Sequence, residues 1–251
     1  MQAYIAGVSP ISILSNPKER VIKIIFAGCN FKCPYCNMKE IEYFKKEFEK
    51  DLKDVKELVK KYAEFSGSVI FTGCEPTLQR QALLDLARFA RNEGLNIGIE
   101  TNGSRPESIR SLFNENLFDF VAIDIKAPFE KTVFEKVTKS STFFLRSEDI
   151  IRSIRETIGF LKEYQDRIEI EVRTTVVPGL IFRKEDFLEI AKEIKGLECR
   201  WVIQQFIPTK GLMNPKFESL KPPTGEFLEA IKEACQKEFL NLRIDIKKVI
   251  G

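Results

Sequence analysis

The chain has 251 residues, a length that suits one large domain with a deep apolar core, and 43% of its residues are hydrophobic. Its 40 Lys and Arg nearly balance its 37 Asp and Glu, so the net charge of +3 gives no indication that nucleic acid is the main partner. The apolar runs fall well short of the roughly 18 to 20 residues that a bilayer span needs, so we expect a soluble protein without a membrane segment.

The N-terminal stretch MQAYIAGVSPISILSN carries no basic leader, and Pro10 interrupts its apolar run. Both features favour a first strand over a secretion signal. We therefore expect a cytoplasmic protein. In that compartment thiols stay reduced, and clustered cysteines bind metal more often than they form disulfides.

Six short apolar runs follow, and charged segments with helical periodicity separate them. This alternation is typical of a parallel sheet built from strand and helix units. Six strands are too few to close an eight-stranded barrel, which leaves an open part-barrel or a doubly wound sheet. We expect an α/β protein with a partial (β/α)6 TIM-type barrel, a single domain over residues 1–251 with its core at about 18–208 and an extension at 209–251. The predicted strands are residues 21–26, 69–72, 96–101, 120–126, 168–177 and 201–207.

Helices are predicted between these strands. The segment 78–94 places its apolar side chains on one face, and Gly94 supplies a stop. The segment 38–62 has the same period but is more charged, so it is expected to bury only a narrow stripe. In the C-terminal extension we predict an amphipathic helix at 224–239 and an added strand at 242–248.

The stretch FAGCNFKCPYCN, residues 26–37, directly follows the first predicted core strand and contains three of the six cysteines. Ligand sites of parallel sheets gather at the carboxyl ends of the strands. The spacing lets one loop wrap Cys29, Cys33 and Cys36 around an iron-sulfur cluster. A closed zinc site is less favoured, because the chain has no histidine and its other cysteines are isolated in sequence. Three ligands leave one metal position open, which is typical of a reactive centre.

This stretch, with Tyr35 before its last cysteine, resembles the cysteine signature of the radical S-adenosylmethionine (SAM) superfamily. The resemblance implies one 4Fe-4S cluster held by the three cysteines, with SAM chelated by the open iron. It implies an oxidoreductase in which an electron cleaves SAM to a 5′-deoxyadenosyl radical that abstracts hydrogen. Ferredoxin or flavodoxin is then the expected electron donor.

The segment TGCEPT, residues 72–77, ends the next core strand and resembles the Gly-Gly-Glu-Pro segment of the same superfamily. There the backbone and the carboxylate hold the methionine ammonium group. Glu75 supplies the anion, Gly73 allows close backbone approach, and Pro76 fixes the turn before the helix. Cys74 replaces the usual glycine, and we expect it to point into the sheet as a small buried residue. As a fourth cluster ligand, it would block the radical chemistry.

Charged and polar side chains also lie on or after the later strands. Asp124 and Lys126 have the same parity, so both are expected on one face, and Glu100 ends the adjacent strand. The alternative to a binding role is an ion pair between Glu100 and Lys126. Arg173 is a candidate for a bidentate pair with the cofactor carboxylate, and Gln205 for a place beside the adenine. Gln205 equally suits an ordinary strand.

Four segments, TNGSRPESI, FDFVAIDIKAP, EVRTTVVPG and IQQFIP, resemble the activating proteins of anaerobic ribonucleoside-triphosphate reductase in their order and spacing. Such activases abstract hydrogen from a backbone glycine and leave a stable glycyl radical, which implies a glycyl-radical reductase as protein partner. The resemblance also implies that Glu100, Thr101 and Asp124 border a monovalent cation, with Asn102 in the same cofactor site. The chain departs from the pattern at Asn37, where activases usually have His.

Two other functions stay open. A radical enzyme acting on a small molecule or a nucleoside precursor, similar to the deazaguanine synthases, has a comparable ETNG strand end. A cluster-carrying electron-transfer or sensor protein is expected to have four protein ligands and no cofactor site. The set of Glu75, Asp124, Lys126 and Arg173 argues against this last function.

Overall fold

The computed structural model describes residues 1–13 and 16–248, so residues 14 and 15 of the predicted N-terminal strand and residues 249–251 lie outside it. This described part contains nine strands and seven α-helices. The strands are β1 (Gln2–Ile13), β2 (Asn16–Phe26), β3 (Glu49–Asp51), β4 (Ser68–Gly73), β5 (Asn96–Thr101), β6 (Phe120–Asp124), β7 (Glu169–Val176), β8 (Arg200–Gln205) and β9 (Arg243–Lys247). The helices are α1 (Leu52–Ala63), α2 (Arg80–Asn92), α3 (Pro106–Asn114), α4 (Lys131–Thr138), α5 (Ser147–Tyr164), α6 (Lys184–Ile194) and α7 (Gly225–Glu238).

The six predicted core strands are all present as β2, β4, β5, β6, β7 and β8, with shifted ends. Strands β1 and β9 confirm the strands predicted near the two ends of the chain. Helices α2 and α7 confirm the helices predicted at 78–94 and 224–239, and a 3₁₀ turn at Pro76–Gln79 precedes α2.

The prediction of a helix through 38–62 was wrong in its first half. That half contains two 3₁₀ turns and β3, which pairs antiparallel with β1. Asp51 ends β3 and is also the N-cap of helix α1, which begins at Leu52. Its side chain accepts a hydrogen bond from the Lys53 amide at 3.0 Å. Pairing with the distant start of the chain therefore overrides the local helical period.

The described residues divide into two compact units. The first comprises Met1–Asn30, Glu40–Thr101 and Arg105–Ala122. Its strands hydrogen-bond in the order β3, β1, β2, β4, β5 and β6. Strand β1 is antiparallel to β2 and β3, whereas β2, β4 and β5 are parallel, so the sheet is mixed.

Burial in the first unit follows the strand and helix periods. Ile22, Ile24 and Phe26 alternate along β2 and are fully buried, and α2 buries the apolar face predicted for it. Burying a side chain of this size contributes about 1.5–3 kcal/mol each. This core fixes the carboxyl ends of β2 and β4, where the cysteine loop and the TGCEPT segment begin.

The second unit comprises Phe31–Lys39, Asn102–Ser104 and the described residues from Ile123 onward. Its strands β7, β8 and β9 lie in that order and are parallel. The buried Trp201 ring donates from Nε1 to the Thr174 hydroxyl at 3.1 Å. None of the described helices is long and apolar enough to cross a bilayer.

Candidate active site

The cysteine loop begins in the first unit, directly after β2. The amide of Gly28 donates to the Ile41 carbonyl at 2.8 Å, and the amide of Cys29 donates to the Glu42 carbonyl at 2.9 Å. Gly28 has a φ of 91°, and a Cβ at this position would lie 2.2 Å from a carbon of the Phe44 ring. Both the left-handed backbone and the ring contact favour glycine here. The backbone that leads into Cys29 is therefore closely fixed.

The TGCEPT segment meets the same backbone. Phe26 lies opposite Gly73 in the parallel pairing of β2 and β4. The amide of Cys74 donates to the Phe26 carbonyl at 3.1 Å, and the amide of Glu75 donates to the Gly28 carbonyl at 3.0 Å. Gly73 has a φ of 119°, and a Cβ on it would lie 2.3 Å from the Phe26 carbonyl oxygen. Two segments singled out from sequence thus come together within this unit.

The Glu75 carboxylate is fully buried and serves as a hydrogen-bond acceptor. Its Oε1 accepts from the Thr77 amide at 3.1 Å, from the Thr77 hydroxyl at 2.5 Å and from the Thr101 hydroxyl at 2.7 Å. Glu75 is also the N-cap of the 3₁₀ turn that Pro76 begins. These contacts hold an acidic side chain in one orientation after β4 and tie it to the end of β5.

The prediction that Cys74 points into the sheet as a buried apolar residue was wrong. The residue is half-buried, and its thiol donates to the Ile41 carbonyl at 3.3 Å. That carbonyl also accepts from the amide of Gly28, so Cys74 lies beside the backbone leading into the cysteine loop. The left-handed backbone of Gly73 ends the strand alternation, which therefore no longer sets the direction of the next side chain.

The end of β5 carries two more of the predicted site residues. Glu100 accepts a hydrogen bond from the Thr72 hydroxyl and lies 3.9 Å from Lys23 Nζ. In the second unit, Asn102 Oδ1 accepts from the amide of Ser104 at 3.0 Å and from its hydroxyl at 2.6 Å. The amide oxygen of Asn102 therefore caps its own turn.

Asp124 and Lys126 lie in the second unit, on the same face as predicted. Lys126 donates from Nζ to Asp124 Oδ2 at 2.9 Å. Burial lowers the pKa of Lys126, but Asp124, Tyr35 and Cys33 raise it more, so that it lies well above its ordinary value. Burial, reinforced by Cys33, raises the pKa of the Tyr35 hydroxyl. At neutral pH the Lys126 side chain therefore stays protonated and positively charged, and the Tyr35 hydroxyl stays neutral.

The remaining cysteines of the loop also lie in the second unit. The amide of Lys32 donates to the Thr138 carbonyl at 2.7 Å, and Cys33 Sγ lies 4.0 Å from the same oxygen. The Cys36 amide donates to the Cys33 carbonyl at 3.0 Å, and the Met38 amide donates to Cys36 Sγ at 3.4 Å. Amide donors to ligand sulfurs are among the contacts that tune iron-sulfur clusters.

Sequence reasoning missed a segment that holds this loop. We call residues 211–220 the C-terminal clasp. The amide of Met213 donates to the Cys36 carbonyl at 2.9 Å, and the amide of Asn214 donates to the Pro34 carbonyl at 2.8 Å. Both hydrogen bonds join backbone atoms, so they cannot be predicted from the residue types in the clasp.

Apolar packing reinforces the clasp. Leu212 is 1% exposed and forms a buried cluster with Val177 and Phe206. Tyr35 packs against this cluster, with its ring centroid 6.5 Å from that of Phe206 and the planes nearly perpendicular. The aromatic residue of the cysteine signature is therefore held from the C-terminal side.

The structure gives two further predicted residues protein partners. Arg173 Nε donates to the Glu171 carboxylate, which also accepts from Arg200. Gln205 Nε2 donates to the Pro223 carbonyl at 2.8 Å. Arg173 therefore already has a carboxylate beside it, from its own strand β7.

The cysteines do not form a preassembled metal site in the described residues. All six cysteines lie in the described residues as thiols rather than disulfides, and burial raises the pKa of both Cys199 and Cys235 to about 12. Within the described residues, no group of three or more Cys, Asp or Glu side chains is arranged to hold a metal ion. The choice of the three loop cysteines as ligands therefore rests on their spacing and on the fixed loop that carries them.

Comparison with known proteins places this chain in a family. The family model of the Radical SAM superfamily matches residues 23–194. A protein of Methanocaldococcus jannaschii, provisionally named a glycyl-radical enzyme activating enzyme, is 33% identical over 247 residues, which cover 97% of this chain and 96% of the relative. The 7-carboxy-7-deazaguanine synthase of Clostridium acetobutylicum is 32% identical over 198 residues, covering 76% of this chain and 86% of that protein. The crystal structure of a radical SAM methyltransferase from Sphaerobacter thermophilus matches with a TM-score of 0.68 at 13% identity, covering 97% of this chain and 78% of that one.

A three-cysteine loop after a strand of an α/β sheet is typical of enzymes that use an iron-sulfur cluster. The chain belongs to the Radical SAM superfamily, because the family model covers well over half of it. The predicted α/β fold class is confirmed, and membership implies a 4Fe-4S cluster and SAM as cofactors.

Proposed function

We propose that this radical SAM enzyme is a glycyl-radical activase whose substrate is an anaerobic ribonucleoside-triphosphate reductase. The observation that carries the activase part of the proposal is the match over 97% of the chain to a relative of similar length with the provisional name of a glycyl-radical enzyme activating enzyme. The order and spacing of the four segments around β5 to β8 support the reductase as partner. We expect the enzyme to work in the cytoplasm.

Cys29, Cys33 and Cys36 would hold the 4Fe-4S cluster and leave its fourth iron to the amino and carboxylate groups of SAM. With one electron from ferredoxin or flavodoxin, the loaded site would supply cleavage of the S–C5′ bond of SAM into methionine and a 5′-deoxyadenosyl radical. That radical would take a hydrogen atom from a glycine of the partner, which gives 5′-deoxyadenosine and a glycyl radical. The chain itself must orient SAM and keep the three ligands in place.

The SAM methionine would be bound after β4. Gly73 and the backbone of Cys74 allow close approach, and Pro76 sets the turn. Glu75 supplies a negative charge for the ammonium, since its hydrogen-bond donors hold the carboxylate in one orientation. Lys126 supplies a cation for the carboxylate of SAM.

Other residues would complete the cofactor site. The Tyr35 ring, held by Phe206 and the clasp, would border the adenine together with Gln205. Arg173 would exchange its Glu171 partner for the SAM carboxylate. By the same resemblance, Glu100, Thr101 and Asp124 would border a monovalent cation, with Asn102 in the same cofactor site.

The test uses anaerobically reconstituted protein with dithionite, SAM and the purified reductase of the same organism. We expect a glycyl radical by electron paramagnetic resonance (EPR), and deuterium transfer from glycine-labelled reductase into 5′-deoxyadenosine. Single replacements Cys29→Ala, Cys33→Ala and Cys36→Ala abolish both, whereas the matched control Cys199→Ala keeps both. Formation of 5′-deoxyadenosine without a glycyl radical would reject the activase and retain the radical SAM chemistry.

A small-molecule enzyme similar to the deazaguanine synthases is the second candidate. It is favoured by the 32% identity to such a synthase and by the ETNG strand end at residues 100–103. Formation of 7-carboxy-7-deazaguanine from a metabolite extract, with no glycyl radical in the reductase, would support this candidate instead.

A further inference from the structure

Phe143 and Phe144 are the most exposed large apolar side chains of the described residues, at 95% and 92%. Their ring centroids lie 5.0 Å apart, and the planes are nearly perpendicular. Both lie in the segment 139–146, between α4 and α5. Exposing two large aromatic side chains to water is unfavourable. In protein interfaces, buried aromatic anchors contribute much of the binding energy.

Hydrogen bonds hold this loop in one conformation. Ser141 donates to the Glu135 carboxylate from its amide at 3.1 Å and from its hydroxyl at 2.6 Å. The Thr142 hydroxyl accepts from the amides of Phe144 and Leu145 at 3.3 and 3.1 Å. The two rings are therefore presented on a preorganised loop, which lowers the entropy lost on binding.

The base of the loop also supports the cluster ligands. Thr138 is the last residue of α4. Its carbonyl accepts a hydrogen bond from the amide of Lys32 and lies 4.0 Å from Cys33 Sγ. Lys139 then adopts a left-handed φ of 44°, which ends the helix and turns the chain into the loop. The loop that carries the two rings is therefore connected through Thr138 to the segment that carries Cys33.

The charge of the loop indicates the chemistry of its partner. The segment KSSTFFLR, residues 139–146, has two cations and no carboxylate of its own. Arg146 Nε lies 3.5 Å from Asp149 Oδ2, but the Arg146 side chain stays 75% exposed. It suits an apolar pocket bordered by Asp and Glu. A lipid surface fits less well, because recognition of anionic lipids uses clusters of about 4–8 Lys and Arg.

We propose that Phe143 and Phe144 are the docking contact for the protein whose glycine this chain oxidises, and that they insert into an apolar, acid-bordered pocket on it. The inference rests on the proposed activase function and adds the surface through which the partner binds.

The test compares the double variant Phe143→Ser/Phe144→Ser with wild type and with Leu240→Ser, a control at another apolar side chain that is 86% exposed. The loaded enzymes are titrated with the anaerobic ribonucleoside-triphosphate reductase, and glycyl radical is measured by EPR. We expect the KM for reductase to rise about 30-fold in the double variant, since two anchors of the partner interface are lost. The kcat, the melting temperature and 5′-deoxyadenosine formation without reductase stay unchanged, and Leu240→Ser behaves as wild type.

Each other outcome overturns the proposal. If the wild type is active and the KM of the double variant is unchanged, the docking contact is rejected and the activase function is retained. An equal loss in Leu240→Ser would mean that the effect is not specific to this loop. Binding of wild type, but not of the double variant, to anionic phospholipid vesicles together with an unchanged KM would assign the rings to a membrane. A wild type that neither binds nor oxidises the reductase rejects the docking contact and the activase function together.

Discussion

Replacing Leu212 with Ala tests whether the C-terminal clasp fixes the cysteine loop. Leu212 is 1% exposed and packs with Val177 and Phe206. Truncating a leucine buried to this extent costs about 2–5 kcal/mol. The next two amides, those of Met213 and Asn214, donate to carbonyls of the cysteine loop. If the cost falls on local opening of the clasp, 2 kcal/mol corresponds to about 30-fold faster hydrogen exchange at both amides.

The assay is hydrogen–deuterium exchange of the metal-free protein, resolved to single amides. We expect faster exchange at positions 213 and 214 in Leu212→Ala, and unchanged exchange along β4. The matched control is Leu240→Ala, in which an 86% exposed side chain is truncated and exchange stays at the wild-type rate. Wild-type exchange at both amides in Leu212→Ala would refute the reasoning, and so would an equal acceleration across all elements, which reports global unfolding.

Three other predictions follow from the geometry of single residues. Gly73→Ala places a Cβ 2.3 Å from the Phe26 carbonyl oxygen, so urea unfolding should show a larger loss of stability than Gly94→Ala, where φ is also positive but no atom lies within 4 Å. Glu75→Ala removes the acceptor of three hydrogen bonds and should lower the free energy of unfolding by about 3 kcal/mol or more, while Glu75→Gln, which keeps an oxygen, should cost less in the same assay. Because burial raises the pKa of Cys199 to about 12, iodoacetamide should label it at about pH 8 only after unfolding, as measured by mass spectrometry; rapid labelling of the folded protein would contradict this.

The parts of the structure that could be predicted from sequence are those in which local pattern and tertiary pairing agree. The core strands have short apolar runs, and strand parity placed Asp124 and Lys126 on one face. The first half of 38–62 could not be predicted, because β3 pairs with the distant β1 while its own sequence has a helical period. The prediction for Cys74 failed for a local reason, because the positive φ of Gly73 ends the strand alternation one residue earlier.

The cysteine loop shows the same division. The thiol spacing and Tyr35 could be recognised because side chains carry the chemistry. The clasp could not be found, because its hydrogen bonds use backbone amides, which nearly every residue supplies, and their acceptors lie far upstream in the chain. The protein partners of Glu100 and Arg173 likewise depend on which residues the folded sheet brings beside them.

We propose that Cys29, Cys33 and Cys36 hold the cluster and that its fourth iron binds SAM. Electron nuclear double resonance of the reduced, reconstituted protein with isotopically labelled SAM tests it most directly. We predict hyperfine coupling of the cluster to the methionine amino nitrogen and carboxylate of SAM, which persists in Cys74→Gly. A cluster without such coupling, whose iron content falls when Cys74 is replaced, would contradict the claim, because a protein thiolate would then occupy the position required for SAM.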